Sequence, residues 1–228
     1  MQWRTPAQSG LGVSPHKRVV MSALCLAGVL LNITLNRVII RAGLPLYLDT
    51  VFTISATLVG GLFWGSLCGA LTNLIGNSVW FGGWEAYLFA LCNIATAVIT
   101  WLFIRFFPRE LKSGYSESSG VRPAVRSDRL SLVMDRMIAL ILLSFALCLG
   151  MSILGGFIAG LIQIFDPSHT GKWGIPSLLT PSMFSENFPL ILSEILLRIP
   201  VNIIDRLISA FGGYGVAVVI GKLSKEQG

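Results

Sequence analysis

Charged side chains are scarce in this sequence. Asp, Glu, Lys and Arg make up 12% of its 228 residues, about half the share of an average soluble domain. Only two histidines occur, His16 and His169, both in polar segments. There is no H-E-x-x-H pair for zinc and no G-x-S-x-G nucleophile turn. The nearest approach to a phosphate-binding G-x-x-x-x-G-K-[ST] loop, Gly215 to Leu223, has five residues between its glycines and a leucine after Lys222. Metal hydrolysis, triad catalysis and ATP hydrolysis by this chain are therefore excluded as readings, and the chain is not expected to be an enzyme or to hold a metal. The four cysteines, Cys25, Cys68, Cys92 and Cys148, lie in apolar stretches without the close spacing of a zinc or redox motif. They read as packing residues. Nor is there a secretory signal: Met1 to Pro15 is polar, and the apolar run after Lys17-Arg18 is too long and lacks a small-residue cleavage pattern.

What the chain has in abundance is apolar surface: 54% hydrophobic residues and a mean hydropathy of +0.74. A lipid bilayer is the solvent such a composition suits, and at about 20 residues per transmembrane helix the chain has room for roughly six spans. The expected fold is an all-α integral membrane protein, a bundle of about six transmembrane helices. Residues 1–18 form a polar N-terminal segment, 19–223 the membrane domain and 224–228 a tail. The first span runs from Val19 to Ile40 and stops at Gly43-Leu44-Pro45. A short second segment, Tyr47 to Leu62, turns at Gly60-Gly61 into a third, Phe63 to Trp80. The fourth, Ala86 to Phe107, ends at Pro108 and is followed by a polar loop at 108–131. A fifth occupies Leu132 to Phe165, and 166–189, punctuated by proline and glycine, reads as an outer loop. A short interfacial helix from Pro189 to Ile199 precedes a sixth span that Pro200 opens, Val201 to Leu223.

Basic residues set the orientation. With both termini in the cytoplasm, the seven Lys and Arg from Arg105 to Arg136 fall inside, together with Arg4, Lys17, Arg18, Lys222 and Lys225, which is 12 of the 17 in the chain. The net charge of +6 is then retention in the cytoplasm rather than an affinity for nucleic acid. The plasma membrane of a prokaryote is the expected location.

Polar groups inside spans cost free energy unless paired or lining a cavity, so their depth is informative. Asn32 and Asn36 in the first span, and Asn73 and Asn77 in the third, repeat an i, i+4 spacing toward the outer end. Asp49 begins the second span, Glu85 precedes the fourth, and Asn93 lies two turns down it. Asp205 stands 17 residues before Lys222, at about 1.5 Å per residue close to the outer surface, and shares a face with Asn202 and Ser209. Each taken singly reads as a helix cap, an ion pair or an interhelical hydrogen bond; their shared depth suggests an outward-facing polar pocket. Trp80, Phe81, Trp84 and Tyr87 flank that end, as an aromatic belt or as a stacking surface for a flat ligand. Ala23 and Ala27 form a small-xxx-small pair on the face of the first span opposite Asn32 and Asn36, and read as either internal packing or an outward contact surface. Gly61, Gly65 and Gly69, and Ser152, Gly156 and Gly160, form two further ridges that read as internal packing.

The string Gly43-Leu44-Pro45-Leu46-Tyr47-Leu48-Asp49-Thr50 and the glycine-rich hairpin to Asn73 resemble the membrane-embedded S components of energy-coupling factor (ECF) transporters. The resemblance is closest over residues 20 to 110. It implies a substrate-binding subunit that captures a vitamin or similar small solute from outside, topples in the membrane and releases it inside. It implies a transmembrane T component and two ATPase subunits as partners, which use the ATP, with no cofactor in this chain. In the family an A-x-x-x-A motif contacts the T component, and Ala23 and Ala27 match it. The candidate substrate-binding residues are Asn32, Asn36, Asp49, Asn73, Asn77, Trp80, Trp84, Glu85, Asn93, Asn202 and Asp205. Asn77→Leu and Asp205→Ala are expected to weaken binding and spare folding. The alternative reading is a membrane sensor or partner-binding subunit that uses the same pocket without transport. The polar loop at 108–131 departs from the family pattern.

Overall fold

The computed structural model describes residues 15–80, 83–111, 126–166 and 189–226. Among them, all regular structure is helical. Helix α1 spans Pro15–Arg41, α2 Val51–Gly60 and α3 Leu62–Trp80; a 3₁₀ turn at Trp84–Phe89 leads into α4, Ala90–Phe106. A single turn, α5, covers Pro108–Leu111, and two long helices follow, α6 at Arg126–Phe165 and α7 at Leu190–Glu226.

Four of these helical stretches are long and apolar enough to cross a membrane: Arg18–Arg41, Glu85–Phe106, Leu130–Phe165 and Leu190–Leu223. The distribution of polarity agrees. Large apolar side chains such as Val19, Phe63, Leu130 and Phe165 are two-thirds or more exposed, whereas Asn32, Thr50, Asp205 and Ser209 are wholly buried. A soluble domain does the reverse.

Proline and glycine mark the boundaries for identifiable reasons. Pro15 opens α1, where its missing N–H would have no partner in any case. The helix closes on Gly43 at φ +71°. Leu44 N–H reaches Ile39 O at 3.2 Å and Gly43 N–H reaches Ile40 O at 3.0 Å, capping two carbonyls before Pro45. Gly61, at φ +82°, makes the reversal between α2 and α3.

The pairs α2–α3, α3–α4 and α6–α7 run antiparallel and approach closely at small residues, whereas α1 and α3 run parallel. A β-carbon on Gly69 would lie 2.8 Å from Asn93 O of α4, and one on Gly156 would lie 2.7 Å from Ile195 N of α7. The ridge at Gly65 and Gly69 thus packs internally, Gly65 on Thr57 of α2. So does the ridge at Gly156 and Gly160, against Ile195 and Ile191. Gly61 instead serves the turn.

Three sequence expectations change. The second segment, expected as a helix from Tyr47, is helical only over Val51–Gly60; ten residues rise about 15 Å, half a bilayer core. The interruption is at Leu48, whose left-handed φ of +44° cannot continue a right-handed helix. The expected break at Pro200 is absent, because α7 is one helix from Leu190 to Glu226 with Pro200 inside it. Proline is tolerated within a membrane helix when neighbours occupy the freed groups. The carbonyl that Pro200 leaves without its helical donor is that of Leu196; the Cys148 thiol, at 3.7 Å, donates to a different one, Ile199 O. The polar stretch expected as a loop at 108–131 is helical at both ends, in α5 and in the first turns of α6. The outer loop expected at 166–189 lies almost wholly outside the described residues.

Candidate functional site

The link from α1 to α2 and the start of the half-length helix α2 form the centre of the site. Leu48, 5% exposed, carries φ +44°, a left-handed conformation unusual for a leucine. Non-helical backbone at membrane depth is tolerated only where protein or water satisfies its donors and acceptors. Side chains do so here. One carboxylate oxygen of Asp205 on α7, Oδ1, accepts the N–H of Tyr47 at 2.9 Å and of Leu48 at 2.8 Å. Asn36 Nδ2 donates to Tyr47 O at 2.7 Å. Asn32 Oδ1 accepts Phe52 N–H at 3.0 Å, and its Nδ2 donates toward Thr53 Oγ1 and Thr72 Oγ1, each at 3.2 Å. A single buried amide thereby ties α1, α2 and α3 together.

Helix α7 contributes a polar stripe. Glu194, Arg198, Asn202 and Arg206 follow one another at four-residue intervals, Asp205 and Ser209 stand three residues after Asn202 and Arg206, and all six are buried. Arg206 lies 3.1 Å from Asp205 Oδ2 and also donates to Thr50 Oγ1. Arg198 pairs with Glu194 at 3.6 Å and sits 5.7 Å from the centre of the Phe89 ring. Gln163 Nε2 donates to Glu194 Oε1 at 2.6 Å, and Asn202 Nδ2 to Ser152 Oγ at 2.9 Å. Opposite the stripe, Asn93 Nδ2 of α4 donates to Asp49 Oδ2 at 3.1 Å. Gly155 of α6 faces both α4 and α7: a β-carbon there would lie in ordinary contact with Arg198 Nη1 at 3.6 Å and Cys92 Sγ at 3.8 Å.

The candidate residues divide accordingly. Asp49 and Asn93 meet directly. Asn32, Asn36, Asn202 and Asp205 are occupied in holding backbone or neighbouring helices, and Asn77 holds the 3₁₀ turn through Ala86 O at 2.7 Å. Glu85 is buried, and the buried Asn73 Nδ2 has no hydrogen-bond partner among the described residues. The side chains of Trp80 and Trp84 lie outside the described residues. Reading residue types by depth missed Arg198, Arg206, Glu194 and Thr50 as members. The signal was present for three of them, in the four-residue spacing of Glu194, Arg198, Asn202 and Arg206.

On the opposite face of α1 the picture is different. Ala23 and Ala27 are exposed, with Leu26, Leu30 and Leu31 around them. Toward the same end, α1, α2 and α7 leave a small apolar cleft of about 30 Å³, lined by Met21, Cys25, Phe52, Trp64 and Ile220, with Ser55 among them.

No protein-family model, no curated protein and no solved structure matches this chain.

Proposed function

We propose that this chain is the membrane-embedded substrate-binding S subunit of an ATP-driven ECF-type importer, with six membrane segments and both termini in the cytoplasm. It captures a vitamin or similar small solute on the outer side of a prokaryotic plasma membrane. A T component and two ATPase subunits supply the energy. The observation that carries the reading is the start of α2: a half-length helix whose N-terminal end meets the buried stripe of α7 through Leu48 on Asp205 and Thr50 on Arg206, and α4 through Asp49 on Asn93. Broken helices that end against polar side chains at membrane depth are where membrane carriers hold their solutes. In the inside orientation given by the basic residues, that end faces outward.

The other requirement is a docking face. Exposed alanines separated by one turn let a partner helix approach closely, and Ala23 and Ala27 offer that face away from the site. The double variant Ala23→Trp, Ala27→Trp is expected to fold, to keep its solute and to lose co-purification with a T component and ATPases. A double variant that still captures those partners in full would place the interface elsewhere. Wild-type protein that captures neither would remove the importer reading.

A further inference from the structure

The three carboxylates around the start of α2 are not equivalent. Glu194 is used on both oxygens, by Gln163 at 2.6 Å and by Arg198 at 3.6 Å. Asp205 accepts two backbone N–H groups on Oδ1, and its Oδ2, without a hydrogen bond among the described residues, lies 3.1 Å from Arg206 in an ion pair. Asp49 is held on one side only. Its Oδ2 accepts from Asn93 at 3.1 Å, while Oδ1 is shut off from solvent with no hydrogen-bond partner among the described residues.

The charges count the same way. Two arginines of α7 stand against three carboxylates: Arg198 pairs with Glu194, and Arg206 pairs with Asp205 while its charge also acts on Asp49, so the group keeps one anion in excess. Arg206 acts on Asp49 through space, but its hydrogen bond goes to Thr50 and its ion pair to Asp205, and its own buried Nε has no hydrogen-bond partner among the described residues. A buried polar atom left unsatisfied requires a ligand, an ion or a water, and an anion in hydrocarbon requires a counter-charge. Asn93 fixes the carboxylate orientation.

We propose that Asp49 is the recognition carboxylate for a solute that carries a positively charged nitrogen. The reading rests on the proposed solute-binding function and narrows it to a class: small organic cations rather than carboxylic acids or neutral ring systems. The cationic nitrogen sits against Asp49 Oδ1 and supplies the hydrogen bond and charge that the carboxylate lacks. Asn93 positions the carboxylate and needs no contact with the solute.

The test uses the full chain in mild detergent. Native mass spectrometry identifies what co-purifies, and tryptophan-fluorescence titration follows with cations (thiamine, choline, agmatine, pyridoxamine), anions (biotin, pantothenate) and neutral riboflavin. A cation is expected to bind, with affinity reduced at least tenfold in Asp49→Asn and largely retained in Asp49→Glu. Asn93→Ala, which disorders the carboxylate and keeps its charge, is expected to weaken binding less than Asp49→Asn. It also supplies the comparison if Asp49→Asn fails to fold. A bound anion or neutral compound, or a cation whose affinity neither Asp49→Asn nor Asn93→Ala changes, overturns the charge assignment and leaves the importer reading standing. A wild-type protein that purifies empty and responds to no member of the panel overturns both.

Discussion

At the scale of single residues, the buried polar groups of this bundle serve backbone first. Asp205 looks from the sequence like a solute ligand, yet its Oδ1 carries two backbone N–H groups of the α1–α2 link and its Oδ2 faces Arg206. The expected effect of Asp205→Ala therefore moves from binding to folding. Removing one member of a buried, hydrogen-bonded ion pair costs about 3–5 kcal/mol. Asp205→Ala should show a loss of that order in SDS-titrated unfolding from mixed micelles. Arg206→Met added to it should cost much less than the sum of the two single changes, because no charge is then left unpaired. Strict additivity would mean that the two side chains do not act as a pair.

At the scale of elements, glycine positions decide how closely helices approach. A β-carbon on Gly156 would meet the backbone of Ile195 at 2.7 Å, and backbone cannot swing aside as a side chain can. Gly156→Ala is expected to push α6 from α7 and destabilise by about 1–3 kcal/mol. Gly215, on α7 with nothing within 4 Å of its β-position, is the control. There the same substitution should stabilise by up to about 1 kcal/mol, since alanine is the better helix former. Thermal unfolding of both variants in one detergent distinguishes packing from propensity; equal shifts would show that the close approach at Gly156 is not maintained. Helices α6 and α7, with 40 and 37 residues, would each be about 55–60 Å long if straight, nearly twice a bilayer core. They must tilt or project beyond it.

For the whole molecule, the proposed orientation is a claim about every connection at once. Green fluorescent protein fused after Glu226 should fluoresce, and alkaline phosphatase fused after Leu178 should be active, since only the first folds in the cytoplasm and only the second outside it. The opposite pattern would invert the bundle and place the start of α2 on the inner side. The inversion would also put Ala23 and Ala27 at the outer end, out of reach of any cytoplasmic ATPase assembly. One pair of fusions thus checks both faces of the proposed function.

The sequence by itself pointed to the helical class and to helices long and apolar enough to cross a membrane, because a chain with 54% hydrophobic and 12% charged residues suits lipid, where backbone must pair within its own segment. It also determined where α1 ends and where α2 turns into α3, since Gly43 and Gly61 adopt positive φ at those points. The opposite faces of α1 were legible too, because helical spacing alone places Ala23 and Ala27 away from Asn32 and Asn36. Only the tertiary structure decided which polar groups are free to act. Whether Asp49 or Asp205 faces a solute depends on which of them meets backbone N–H groups about 157 positions away in the chain. It also decided that Pro200 lies within a continuous helix, where a local reading of proline places a break. Local rules fix the elements; the partners of a buried charge are non-local, and only the folded bundle assigns them.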